Sequence, residues 1–223
     1  AGARPHFHSG KDGQADMNKR LAATIIVVLL CAAAVFAVRQ LRPDPETAMK
    51  QRLAERSIGS EKAPVWITEY FDYQCPPCAT ASKMLDDEIA VQPTRIFLQV
   101  RYFPLAAHKN ALKAAVYAEC ASKQKGRFWA FHKELFARQK EWALDPYAQI
   151  KFASYAEKSG LDLHKLDACA HDPEIEKAVL EEKKKGEELG VQTTPSFFVN
   201  GKIAVGIKAL KEQLRAALES KPA

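Results

Sequence analysis

The sequence lacks both the basic clusters and the paired metal-ligand spacings that mark nucleic-acid-binding and zinc-binding proteins. Its 223 residues carry a formal charge of +6, but basic and acidic residues alternate in blocks, as in EEKKK at 181–185. That run has the composition of a solvated helix face. A single Cys-x-x-Cys pair occurs, with no second pair and no closely spaced histidines. We therefore expect no nucleic-acid partner, no metal and no cofactor.

Charged residues are absent from positions 21–38, which read LAATIIVVLLCAAAVFAV. A soluble core helix would have a polar face, so we predict a transmembrane helix acting as a single-pass signal-anchor in the inner (cytoplasmic) membrane. Lys19 and Arg20 precede the run and favour a cytoplasmic N-terminus, with the rest of the chain in the periplasm or extracytoplasmic space. A signal peptide cleaved near Ala37 is the alternative, and it also exports the domain.

The segments on either side of the apolar run are polar. We interpret residues 1–20 as a cytoplasmic tail or a tag, with Met17 as a candidate initiator. Residues 39–63 contain several helix breakers around a short helical pattern that Asp44 would cap, and they predict a linker. The main domain is then expected at residues 64–223, which is long enough to bury one sizeable core.

The Cys-x-x-Cys pair stands at a strand-to-helix junction. Residues 65–71, VWITEYF, predict a buried strand, and the apolar spacing after the pair is helical. Cys75 would face the unpaired N–H groups and the positive end of the helix dipole, which stabilise a thiolate. Cys78 follows one turn later, so its sulfur can close a ring or resolve a mixed disulfide. Pro76 and Pro77 form the active-site loop and suit a first helical turn, where a missing N–H costs nothing.

The remainder of the chain predicts an α/β fold. A second strand is expected at 95–103, followed by amphipathic helices that form an insertion at about residues 108–190. Asn200-Gly201 between two short apolar runs predicts a hairpin with a primed turn, and a last helix closes the chain.

Three segments in this order carry a resemblance to a known family: IGSEKAPVWITEYFDYQCPPC, GRFWAFHKELF and VQTTPSFFVNG. From about residue 58 onward the chain resembles the DsbA-like members of the thioredoxin superfamily. The resemblance implies a thioredoxin fold with an inserted helical subdomain. Pro77 departs from the pattern, because the best-known member has His there, and this implies a weaker oxidant.

The resemblance also implies roles for particular residues. Cys75 corresponds to the attacking nucleophile and Cys78 to the resolving cysteine. Glu69 stands where the superfamily keeps a buried acid that shuttles a proton to and from the resolving thiol; a water-accessible acid at a sheet edge is the alternative. Pro195 matches the cis-proline, and the loop would present the backbone of Thr194 to an extended substrate.

Four cysteines fall in the exported part of the chain, and an even count in an oxidising compartment suggests two disulfides. Some relatives place a structural disulfide in the region of Cys120 and Cys169, which implies that these two are joined. Two inert buried thiols are the alternative.

The expected activity is thiol:disulfide oxidoreduction, with disulfides introduced into reduced or misoxidised exported proteins. Electrons would pass to a membrane redox partner, a quinone-linked reoxidase if the chain is an oxidase. A reductase or isomerase of the same fold is one alternative. A non-enzymatic chaperone or copper carrier is another, although no His or Met lies beside the cysteine pair to complete a copper site.

Overall fold

The computed structural model describes residues 11–40 and 45–219 of the chain. It separates the chain into two units, Ala1–Ala48 and Met49–Ala223, and the boundary falls within a helix, α2 (Pro45–Glu55). The expected tail is described only from residue 11, and the expected cap Asp44 lies outside the described residues.

The first unit contains helix α1 (Lys11–Gln40), whose side chains from residue 20 to residue 36 are exposed. Within the described parts of the chain, no helix reaches the combined length and hydropathy required to span a membrane. The span predicted from the sequence ends at residue 38, and the side chains of residues 37–40 lie outside the description.

The second unit is built on a five-stranded sheet. Its strands are β1 (Ser57–Gly59), β2 (Val65–Phe71), β3 (Ile96–Tyr102), β4 (Ser196–Val199) and β5 (Lys202–Val205). The helices that follow α2 are α3 (Pro76–Val91), α4 (Ala111–Ser122), α5 (Phe128–Ala137), α6 (Gln139–Trp142), α7 (Ala148–Lys158), α8 (Leu163–Ala170), α9 (Pro173–Glu188) and α10 (Gly206–Glu219). Helices α4 to α9 form the expected insertion between β3 and β4.

Strand β2 lies at the centre of the sheet, whose order is β1-β3-β2-β4-β5. It pairs with β3 in parallel, joined through α3, and with β4 in antiparallel orientation. Because side chains alternate along a strand, Ile67, Glu69 and Phe71 point into the main core. Tyr70 points to the opposite face, where it packs with Phe103 in a smaller cluster.

Helix α9 covers the end of the sheet around Tyr70. A Cβ atom at Gly186 of α9 would lie 2.8 Å from the Tyr70 ring, so glycine is what allows this close approach. At the other end of the sheet, Asn200 (φ 47°) and Gly201 (φ 80°) form the predicted turn between β4 and β5. Both residues have the positive φ angles that a primed two-residue turn requires.

The segment expected to be a linker differs from the prediction. Residues 49–63 belong to the second unit, with Met49 and Leu53 buried and β1 paired antiparallel to β3. The expected domain boundary therefore shifts from residue 64 to residue 49. A strand of three residues is too short to show an alternating pattern, which is why the sequence did not reveal it.

A buried ion cluster fixes this segment to the domain. Arg56 is fully buried, and its guanidinium donates two hydrogen bonds to Glu182 of α9: Nη1 to Oε2 at 2.9 Å, and Nη2 to Oε1. Its Nε lies 3.6 Å from a Glu119 oxygen of α4, and its guanidinium lies 4.3 Å from the centre of the Tyr102 ring. Breaking such a pair would leave an uncompensated buried charge, which typically costs about 3–5 kcal/mol.

Within the insertion, Cys120 of α4 and Cys169 of α8 are joined by a disulfide, with Cα atoms 5.7 Å apart. The bond ties together two helices whose cysteines are separated by 49 positions in the sequence. Cys120 is buried and lies in the main core, whereas Cys169 packs at its margin.

Replacing both Cys120 and Cys169 by Ser removes this cross-link. In the chain-entropy model, closing a loop of this size stabilises the folded state by about 4 kcal/mol. We expect a lower Tm and a lower free energy of unfolding, measured by thermal and denaturant unfolding. Cys31→Ser, which removes an exposed thiol outside the insertion, is the control and should unfold like the wild type. Wild-type stability of the double variant would show that the bond has no structural role.

Candidate active site

Cys75 lies in the loop between β2 and α3, immediately before the first residue of the helix. Its backbone is extended (φ −78°, ψ 116°), as is usual for an N-cap residue, and Pro76 and Pro77 occupy the first turn of α3. The Cys75 carbonyl accepts hydrogen bonds from the N–H groups of Cys78 (3.1 Å) and Ala79 (3.3 Å). The thiol thus stands at the helix N-terminus, as the sequence predicts.

Cys75 and Cys78 are not joined by a disulfide, and their thiols differ in exposure and in pKa. Cys78 is fully buried, while Cys75 keeps 5% of its surface exposed. A hydrogen bond with the Cys78 thiol, and next the Thr194 side chain, lower the pKa of Cys75 to about 6 against the opposing effect of burial. Burial, followed by the bond and charge of Cys75, raises the pKa of Cys78 well above its ordinary value. At neutral pH, one sulfur is therefore mostly thiolate and the other is thiol.

The loop before β4 faces Cys75. Its Thr194–Pro195 peptide bond is cis, and the Thr194 carbonyl oxygen lies 3.5 Å from the Cys75 sulfur. Thr194 is only 8% exposed. The structure thus places both residues of the expected substrate loop beside the reactive sulfur.

Glu69 lies in the interior, on the same face of β2 as Ile67 and Phe71, and is only 1% exposed. Its Oε1 has no hydrogen-bond partner within the described part of the chain. Burial is the main cause that raises the pKa of this carboxyl to about 8, and the charges of Cys75 and Asp86 add to it. At neutral pH the group is a buried carboxylic acid with an available oxygen.

Two residues that sequence reasoning missed, Gln139 and Asn110, hold the active-site loop. Gln139 of α6 donates from Nε2 to the carbonyls of Tyr73 (2.7 Å) and Cys75 (3.0 Å). The backbone N–H of Asn110 donates to Oε1 of Gln74 at 2.8 Å. Asn110 also donates from Nδ2 to three carbonyls in the segment 142–145. Nothing in a single sequence marks these residues, because their partners lie more than thirty positions away.

A buried histidine joins the loop to the helical insertion. His132 of α5 lies 2.9 Å through Nδ1 from the Tyr73 hydroxyl and 3.2 Å through Nε2 from the Ser82 hydroxyl of α3. Burial lowers the pKa of His132 to about 3, so its ring is neutral at physiological pH. The imidazole also packs against the rings of Phe71 and Phe136. The loop is thereby held from two sides.

The structure brings Cys75, Cys78, Thr194 and Pro195 into one site, with Glu69 buried on the strand that leads to it. The Cys120–Cys169 bond belongs to the insertion and contributes no atom to this site. Within the described residues, no three metal-ligating side chains converge.

The family model described as thioredoxin matches residues 51–220 of the chain. That range begins inside α2, in agreement with the shifted boundary, and ends in the region of the last helix.

Individual relatives extend this result. The Na(+)/H(+) antiporter NhaA 1 of Mycolicibacterium gilvum is 32% identical over 171 residues, which are 74% of this chain and 25% of the antiporter. The chain thus spans about a quarter of the length of such relatives. The probable disulfide bond formation protein D of Bacillus anthracis is 26% identical over 200 residues, 84% of this chain and 90% of that protein.

The solved structure of alpha-DsbA1 from Wolbachia pipientis superimposes with a TM-score of 0.62 at 23% identity, covering 74% of this chain and 89% of that one. It shares the fold of the second unit, with helices inserted in a mixed sheet. The chain belongs to the thioredoxin family.

Proposed function

We propose that the chain exchanges disulfides with client proteins through Cys75 and Cys78. The main observation behind the proposal is that the pKa of Cys75 is lowered while that of Cys78, one helical turn away, is raised. A client thiolate attacks Cys75 of the oxidised pair, and Cys78 leaves and takes up a proton. A second client thiolate then attacks the client sulfur of the mixed disulfide and releases the Cys75 thiolate. Two electrons pass to the chain, and the client gains a disulfide.

The loop of Thr194 and Pro195 is proposed to align the client. Its backbone lies beside the reactive sulfur, so an extended client segment placed along it would bring a cysteine to Cys75. Cys75 is the more exposed of the two sulfurs and therefore the one that an incoming thiolate can reach.

Glu69 is proposed to give a proton to Cys78 as it leaves and to take the proton back in the reverse step. Three observations support this role: the carboxyl is buried, one of its oxygens is free, and its pKa of about 8 keeps a proton on it at neutral pH. Once ionised, Glu69 helps to raise the pKa of Cys78, so the two groups interact. A group poised near the working pH can move a proton in both directions.

Oxidation of clients is the proposed direction. A stabilised Cys75 thiolate favours the reduced form of the pair and makes its disulfide a better electron acceptor. The similarity to the probable disulfide bond formation protein D of Bacillus anthracis supports the same direction. Reduction or isomerisation would use the same two sulfurs at another potential.

We also propose that the domain is extracytoplasmic and that residues 21–38 hold the chain in the cytoplasmic membrane. The uncharged composition of that run and the exposure of its side chains through residue 36 support a helix that meets lipid. Its clients would be exported proteins that are reduced or misoxidised. Electrons would leave Cys75 and Cys78 through a membrane redox partner, linked to quinones if the chain is an oxidase.

Selective alkylation tests the assignment of the nucleophile. In the reduced Cys31→Ser protein, Cys75 should react with iodoacetamide with a midpoint near pH 6, because its thiolate forms at about that pH. At pH 7, roughly nine-tenths of Cys75 is then thiolate, while Cys78 stays unlabelled. Peptide mapping by mass spectrometry identifies the labelled residue. Equal labelling of Cys78 would contradict the assignment.

Trapping tests the exchange reaction itself. Cys78→Ser leaves Cys75 able to attack but removes the resolving thiol, so mixed disulfides with exported proteins should accumulate. Cys75→Ser is the matched control and should trap none.

The direction is tested by oxidative refolding of a reduced substrate with the oxidised protein, alongside insulin reduction with the reduced protein. Efficient insulin reduction without refolding activity would assign a reductase.

Glu69→Gln should slow the attack of Cys78 on the mixed disulfide, the step that releases the client unchanged, by about 100-fold, because Cys78 loses the group that takes its proton. It should also flatten the pH dependence of stability. Between pH 4.5 and about 8, the unfolded carboxyl is ionised while the folded one keeps its proton, so wild-type stability falls as pH rises. Each pKa unit corresponds to about 1.4 kcal/mol, and the variant should gain a few kcal/mol over the wild type at pH 8.

Denaturant unfolding across this pH range and quenched-flow kinetics measure the two effects. Asp87→Asn is the control, since Asp87 is an exposed acid of α3 paired with Lys83 on the surface. A Glu69→Gln variant with the same pH profile and the same resolution rate as this control would remove Glu69 from the mechanism.

A further inference from the structure

Asp72, three positions before Cys75, carries a buried carboxylate with three donors directed at it. The backbone N–H of Gln74 donates to Oδ1 at 2.6 Å, and that of Leu105 donates to Oδ2 at 2.8 Å. Nδ1 of His108 lies 2.8 Å from the same Oδ2, and since a carboxylate only accepts, the imidazole is the donor. The Asp72 side chain has no exposed surface.

The same residue lies in one tight turn with Cys75. The Cys75 N–H donates to the Asp72 carbonyl at 3.1 Å, which closes a four-residue turn whose end Cα atoms are about 7 Å apart or less. A buried charge at this range is weakly screened. The hydrogen bond from Cys78 lowers the pKa of Cys75, while burial and the charge of Asp72 oppose it. Asp72 therefore holds the loop in place but works against the thiolate.

His108 is the side chain that reaches Asp72 from outside the loop. It lies between β3 and α4, and a quarter of its side chain is exposed to solvent. The other two donors are backbone N–H groups, which any residue except proline would supply, so His108 is the one donor that depends on the identity of a side chain. Its N–H dipole, directed at the Asp72 carboxylate, offsets the field of Asp72 at the Cys75 sulfur.

We propose that Asp72 and His108 are positioning residues that together set how readily the Cys75–Cys78 disulfide accepts electrons. Asp72 orders the loop at the expense of the Cys75 thiolate, and His108 recovers part of that loss through its Nδ1 hydrogen bond. The inference rests on the proposed exchange reaction. It means that the oxidising strength depends on a contact between the active-site loop and the segment after β3, in addition to the two residues between the cysteines.

Four single variants of the full chain test the pair: His108→Leu, His108→Asn, Asp72→Asn and His171→Leu. Leucine removes the donor but keeps bulk, whereas the Asn side-chain nitrogen occupies nearly the place of Nδ1 and restores it. His171 is the matched control, because it caps the C-terminal end of α8 and is paired with the exposed Asp167. The readouts are the pH midpoint of Cys75 alkylation and the equilibrium constant of the Cys75–Cys78 pair with glutathione.

His108→Leu should raise the alkylation midpoint and shift the glutathione equilibrium at least about threefold toward the oxidised protein, the change expected for half a pKa unit. His108→Asn should restore both values to those of the wild type, Asp72→Asn should shift both in the opposite direction, and His171→Leu should change neither. These readouts do not respond to a loss of stability alone, provided that each variant shows the wild-type circular dichroism spectrum.

Wild-type values for His108→Leu, or equal shifts for His108→Leu and His108→Asn, would overturn the inference. If Asp72→Asn does not fold, the two His108 variants still decide. The proposed function fails separately: a wild-type protein that does not exchange with glutathione would refute it, whatever the His108 variants do to the alkylation midpoint of Cys75.

Discussion

The antiparallel pairing of β2 with β4 is the constraint on which the active site depends. The register places Glu69 opposite Phe197 and Tyr70 opposite Ser196, the last pair of that ladder. Beyond this pair, the segment after β2 continues to Cys75, and the segment before β4 contains Thr194 and Pro195. The two loops therefore meet at the same end of the sheet. A slip of one residue would turn Glu69 away from the core that it shares with Cys78 and would move the proline loop off the sulfur. The geometry of the redox site therefore depends on this strand register.

Burial then gives each group of the site its character. Cys78 and Glu69 are removed from water, which favours their neutral forms, whereas Cys75 stands at a helix N-terminus, where a hydrogen bond with the Cys78 thiol stabilises its thiolate. This contrast persists only if the loop cannot relax, and the helical insertion supplies that rigidity. Gln139 holds two loop carbonyls, and the neutral ring of His132 links Tyr73 to α3. The insertion is therefore a support for the dithiol in addition to being a covering for the sheet.

Local signals in the sequence predicted the parts of the fold that are encoded locally. The strand at residues 65–71 and the Asn200-Gly201 turn follow from alternation and turn chemistry, and both have the predicted bounds. The placement of Thr194 and Pro195 beside the sulfur came from resemblance, since no local pattern reveals a cis peptide bond. The Arg56–Glu182 pair could not be foreseen, because its members lie 126 positions apart and each resembles an ordinary surface charge in the sequence. β1 was missed for the related reason that its three residues have meaning only against β3.

The bond between Cys120 and Cys169 has a consequence for how the protein matures. A newly made chain carries these residues as thiols and must give up two electrons before it reaches the structure described above. The chain is thus a client of the same class of reaction that its own Cys75 and Cys78 are proposed to perform. Under the proposed oxidation of clients, mature copies would form this bond in newly made ones, so the supply of finished protein would grow with the amount already present, and the first copies would depend on another oxidant.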